Sequence, residues 1–139
     1  MNIWNIQSSE PTSLMLWRTD NSNFRLTIRD EYKPLLTNSD YTLIDKKYSE
    51  VFKNLLDQVT MHDAKVYDLN MKTENDNYIE LKIHNTIDVD TIGIKESSGL
   101  KIWVYDGHPF VSDDLKIDLL KVNAVDLNFT IGFSNFGGK

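Results

Sequence analysis

The feature that most constrains this 139-residue chain is the alternation of apolar and polar residues over short stretches. Phe24, Leu26 and Ile28 alternate with Arg25, Thr27 and Arg29, and Ile79, Leu81 and Ile83 oppose Tyr78, Glu80, Lys82 and His84. Leu127, Phe129, Ile131 and Phe133 alternate without a break. Successive side chains of a strand point to opposite faces, so this period predicts strands with one face on a core and one face wet. Asn2–Gln7, Leu14–Trp17, Ala64–Met71 and Leu100–Tyr105 read the same way, as does the group Ile87, Val89, Ile92 and Ile94. Between two of these runs, the polar Thr73–Asn77 segment predicts a hairpin loop. Asp106, Gly107, His108 and Pro109 carry turn chemistry that ends the strand before them.

The period changes twice. From Asp45 to Val59, Tyr48, Val51, Phe52, Leu55, Leu56 and Val59 recur at three and four residues, with Lys46, Lys47, Glu50, Lys53 and Asp57 on the opposite arc. This predicts an amphipathic helix over about 45–59, with Asp45 as N-cap. Ser112 is the N-cap of a second predicted helix, 112–122, because Asp113 and Asp114 in its first turn complement the helix dipole. That helix turns Leu115, Leu119, Leu120 and Ile117 inward. Many strands and two helices make an α+β fold: one domain over 1–139, mainly antiparallel sheet, with Gly137, Gly138 and Lys139 expected to fray.

Composition narrows the function. Cysteine is absent, which removes disulfides, thiolate nucleophiles and sulfur-bound zinc, and fits a reducing compartment. Met1–Glu10 has neither a basic nor an apolar run, so no export signal is expected and the cytoplasm is the default. No apolar run approaches the roughly 18 residues that cross a bilayer, so no membrane association is expected. The chain has 15 basic and 21 acidic residues, a net charge of -6, which disfavours nucleic acid and favours a basic partner.

No constellation for chemistry stands out. The six glycines never take phosphate-loop spacing, and His62, His84 and His108 form no helical pair for a metal. No serine stands in a Gly-x-Ser-x-Gly elbow. Asp88, Asp90 and Asp106 with His108 are the sharpest acidic group, a candidate oxygen-and-imidazole site or general acid/base pair, and Asp106 with His108 is the pair on which a catalytic reading would be built. Each has a plainer reading, as the wet face of a strand for Asp88 and Asp90 and as a tight turn for Asp106. The expectation is therefore no catalytic residue, no metal site and no cofactor. Trp4, Trp17 and Trp103 are large surfaces, any of which becomes an interface anchor if exposed. Trp103 and Tyr105 share the strand face that Leu100, Ile102 and Val104 leave free.

The run Pro109-Phe110-Val111-Ser112-Asp113-Asp114-Leu115-Lys116, followed by a leucine-bearing helix and Val125-Asp126-Leu127-Asn128-Phe129, resembles the ending of a family of bacterial immunity proteins. These are the small cytoplasmic antidotes of polymorphic toxin systems, in the family usually numbered eleven. Asp40 to Asp68 and Asn85 to Asp90 are similar to its central part more loosely, while Ala124, Val125 and Asp126 replace a glycine expected before the final strand. The resemblance implies a stoichiometric inhibitor that occludes a cognate protein toxin. Charge complementarity to a basic toxin then points to Asp88, Asp90, Trp103, Tyr105 and Asp106 as contact residues. The rival expectation is a small-ligand or peptide-binding adaptor without catalysis.

Overall fold

The structure, a computed structural model, describes residues 1–136; the tail expected to fray, Gly137 to Lys139, lies outside them. The described strands form two sheets. The smaller has the order β10-β1-β9-β8, built from Leu127–Ile131 (β10), Ile3–Ser8 (β1), His108–Ser112 (β9) and Ile102–Tyr105 (β8). The larger has the order β2-β3-β6-β7-β5-β4, built from Met15–Asp20 (β2), Asn23–Ile28 (β3), Val59–Asp68 (β6), Thr73–Ile83 (β7), Tyr41–Asp45 (β5) and Leu35–Asn38 (β4). Neighbours pair antiparallel except β3 with β6, which run parallel. The architecture is α+β, mainly antiparallel, as the alternation implies.

The main core lies where the two sheets and the helical segments meet. Ile6, Ile44, Tyr48, Phe52, Leu81, Ile102, Leu115 and Leu127 all belong to it, so β1 and the other strands of the smaller sheet share one interior with β4 to β7 of the larger. Each fully buried side chain of this size contributes about 2 kcal/mol of transfer free energy. A second core fills the concave side of the larger sheet, where Phe24 meets Tyr41 edge-to-face at 5.4 Å and Leu16, Leu43 and Val66 pack around them. The sheet curls enough for the Tyr41 hydroxyl to accept from the Leu16 backbone N–H at 3.3 Å. A third cluster, Ile3, Ile87, Trp103, Phe110 and Phe133, covers the outer face of the smaller sheet.

Helix α2, Asp113–Val122, starts at the expected cap: Ser112 Oγ accepts from the Leu115 N–H at 3.5 Å, and Leu115 and Leu119 are buried. Ile117, expected inward, is exposed. The expected helix over 45–59 is shorter and broken into a 3-10 turn Lys46–Tyr48, α1 Ser49–Phe52 and a second 3-10 turn Lys53–Leu55. Its apolar face is as read, Tyr48, Val51, Phe52 and Leu55, but Leu56 points out and Val59 already belongs to β6, paired with Ile83 of β7. Asp45 is the cap, accepting from the Lys47 N–H at 2.9 Å.

Two loop assignments change. Thr73–Asn77 is strand, pairing with Val66–Asp68, and the turn lies earlier, where Asp68 Oδ1 accepts the backbone N–H groups of Asn70 and Met71 at 3.1 and 3.2 Å. Leu69 and Met71 consequently sit exposed on that turn. The apolar group around Ile87–Ile94 is a loop with one parallel bridge, Thr86 to Val104, and a 3-10 turn Ile92–Ile94. No membrane-crossing helix occurs among the described residues.

Candidate protein-binding surfaces

β8 is an edge strand, and the Thr86 bridge extends it: Val104 donates to Asn85 O at 2.8 Å and accepts from the Ile87 N–H at 3.1 Å. The bridge runs parallel, so both chains leave it in one direction, reaching Asp88 and Asp106 two residues on. Asp88 is not the wet face of a strand. Its Oδ1 accepts from the Thr91 hydroxyl at 3.0 Å and from the backbone N–H groups of Thr91 and Asp90, each at 2.9 Å. The Thr91 hydroxyl chiefly, with those amides, holds the Asp88 carboxyl below the usual carboxylate range. Asp90 and Asp106 are exposed.

Trp103 must leave the contact set, because it is only 4% exposed. Its strand parity is as read, pointing away from the main core, but Ile87 and Phe133 close over that face. Tyr105, on the same side, keeps 40% of its surface and meets Phe133 and Phe136 edge-to-face at 5.2 and 5.9 Å.

Asp106 and Gly107 form a two-residue hairpin turn, both with positive φ, between Tyr105 and His108. This turn presses onto the β4–β5 hairpin, where Thr42 Oγ1 of β5 donates to Gly107 O at 2.7 Å. Asp106 thereby joins Asp40, Arg18, Glu80 and Lys82 along an open groove of about 690 Å³ at the seam between the sheets. Arg18 is committed there: it donates to the buried Glu80 through Nη1 at 2.9 Å and to Asp40 through Nε at 3.2 Å. Three carboxylates against one arginine and one lysine leave the groove acidic.

Asp106 and His108 do not assemble into an acid/base pair. The His108 Nδ1 atom is buried without a hydrogen-bond partner among the described residues, its ring lies against Phe136 at 5.1 Å, and burial lowers its pKa against the opposing pull of Asp106. His84 is exposed on β7's extension, with Nε2 2.8 Å from Thr60 Oγ1, as its strand parity implies. Among the described residues no three acids or histidines converge on a common metal position.

One surface was not legible as a unit. The register places Trp17 opposite Arg25, Arg25 opposite Tyr67 and Tyr67 opposite Glu74, one row across β2, β3, β6 and β7. The row lies on the convex face, away from Phe24 and Val66. Trp17 is 65% exposed and Tyr67 38%, with Met15 on the same strand face as Trp17. The signal was present in the polar parity of Arg25 and the exposure question raised by Trp17; the missing piece was the pairing that brings them together. Trp, Tyr, Arg and Met are the residues enriched at protein interfaces.

No family model, no curated protein and no solved structure matches this chain.

Proposed function

We propose that this chain is a non-catalytic inhibitor that binds and occludes a basic protein toxin, in the manner of the immunity proteins its last third resembles. The observation that carries the reading is the acidic end of the smaller sheet. There Asp106 shares a groove with Asp40, the half-exposed Tyr105 stands beside it, and Asp88 leaves the adjoining bridge in the same direction. Exposed carboxylates around an aromatic anchor suit a basic partner, raising both encounter rate and specificity. The net charge of -6 supports the same polarity.

The test is co-expression with the product of the reading frame directly upstream. The expected result is relief of that product's toxicity and a one-to-one complex on gel filtration. The triple variant Asp88→Lys, Asp90→Lys, Asp106→Lys should weaken the complex by about tenfold or more and flatten its salt dependence. A complex of unchanged affinity removes this placement, and absence of any complex removes the toxin. A small-ligand or peptide module is the second reading, favoured by a groove of about 440 Å³ between Ser8–Thr12 and β4. Purified protein that carries no bound small molecule or peptide in native mass spectrometry discards it.

A further inference from the structure

The larger sheet is covered on its convex side where β4, β5, β7 and the start of β6 meet the main core. The rest, across β2, β3 and the end of β6, bears the row Trp17, Arg25, Tyr67 and Glu74, each exposed among the described residues. Of the three arginines, Arg18 is paired with Glu80 and Asp40, and Arg29 is paired with Asp68 at 2.6 and 3.0 Å. Arg25 has no carboxylate partner among the described residues, although an aromatic residue flanks it on each neighbouring strand. A guanidinium set between two aromatic side chains on an open face is an unfilled recognition element.

The order of the row says what fills it. Aromatic, cation, aromatic and anion lie at strand spacings of about 4.8 Å. Consider a second copy stacked face to face through a two-fold axis parallel to the strands, midway between β3 and β6. That operation reverses the row, setting each Arg25 over the Tyr67 of the other copy and each Trp17 opposite the other Glu74. A two-fold along the row would instead stack Arg25 on Arg25, which like charge forbids. We propose that this convex face is an isologous homodimer interface, held by reciprocal Arg25 to Tyr67 cation–π contacts and flanked by Trp17.

Addition of a strand at the β2 edge is a poorer use of the same region. The Tyr41 hydroxyl already takes the Leu16 N–H, and Arg18 bridges from β2 to Asp40, so that edge is partly closed. Single-stranded nucleic acid also stacks on such rows. It is disfavoured by the net charge of -6 and by the pairing of Lys65 with Glu74 at 3.5 Å, which neutralises the nearest lysine. The proposal is independent of toxin binding, because Arg18 turns toward the acidic groove while Trp17, its neighbour, turns to the opposite face of β2.

Sedimentation equilibrium of the full chain tests it. The dimer fraction should rise over about 10–500 µM, as befits an interface near the lower size limit. Trp17→Ala should be monomeric across that range with an unchanged melting temperature, since Trp17 is exposed. Tyr67→Lys should weaken dimerisation at least tenfold, while Tyr67→Glu, which offers Arg25 a carboxylate, should stay within about threefold of the parent. A parent chain that is monomeric throughout overturns the proposal. Equal weakening by Tyr67→Lys and Tyr67→Glu overturns the facing arrangement. A monomer that binds labelled oligothymidine through Trp17 overturns it in favour of nucleic acid.

Discussion

Lys116 Nζ lies 3.4 Å from the centroid of the Trp4 ring. Trp4 is held for it: its indole N–H donates to Asp113 Oδ1 at 2.7 Å, and Asp113 Oδ2 accepts the Asn2 N–H at 3.1 Å. The two helix residues stand three apart on one face of α2 and together fasten it to β1. Lys116→Ala should therefore cost about 1 kcal/mol, the usual worth of a partly buried cation–π contact, while Lys116→Arg should cost less than half of that. Urea unfolding of the two variants measures it. An equal loss for both would show that Lys116 acts through its methylene stem and not its charge.

Gly107 allows the two sheets to meet. A Cβ there would lie 1.6 Å from Asn38 O, a backbone atom that no rotamer change can remove. The residue also has φ of 80°, as the hairpin turn requires. Gly107→Ala should destabilise by about 2–4 kcal/mol, combining overpacking with left-handed strain. Because the shift falls on the β4–β5 turn, it should also open the groove that carries Asp40 and Asp106. A melting temperature within a degree of the parent would show that the seam gives way freely.

Strict alternation made the strands β3, β7 and β10 legible in the sequence, but burial follows parity only in part. In β3, Phe24 is buried and Arg25 and Thr27 are exposed. In β7 the expected wet residues Tyr78 and Glu80 are as buried as Ile79 and Leu81, because a core lies on each side there, and in β10 Ile131 is half exposed. The β4–β5 hairpin was not legible: Leu35, Leu36, Tyr41, Leu43 and Ile44 are buried on both faces, so their run has no period to read. Thr73–Asn77 looked like a loop because the start of β7 extends beyond the core, pairing with β6 while its side chains stay mostly in solvent. At the candidate site the sequence supplied the acids and Tyr105, and local turn chemistry explains Asp106. It could not show that Trp103 is covered, since Ile87 and Phe133 come from segments 16 residues before and 30 after it. The Trp17 row needed a parallel pairing of β3 with β6, and no local pattern announces that.

Glu80 is 2% exposed and is charge-paired with Arg18, while the Ser22 hydroxyl donates to its Oε1 at 2.7 Å. Removing one partner leaves a buried charge, and removing both need not. Arg18→Ala should cost about 3 kcal/mol or more, whereas the double variant Arg18→Met, Glu80→Leu should recover most of it. The double variant also removes the groove's arginine, so its crystal form or spectra matter less than its chemical denaturation midpoint. A double variant as unstable as Arg18→Ala would mean that the loss comes from packing over Phe24, on which the guanidinium lies at 4.7 Å.

His108 should make the fold acid-sensitive. Its ordinary pKa is 6.5, and in the folded chain burial, with the ring against Phe136, lowers it while the Asp106 charge opposes. The unfolded chain therefore binds the proton first as pH falls. The stabilising contribution is complete above about pH 6.5 and is lost progressively as pH drops through the depressed folded value. Protonation places a buried charge against the ring of Phe136, so the Ser134–Phe136 turn should loosen before the sheets do. Melting temperatures recorded from pH 8 to pH 5 should slope downward below 6.5 in the parent and be flatter in His108→Phe. Parallel slopes in the two proteins would assign the acid sensitivity to the carboxylates instead.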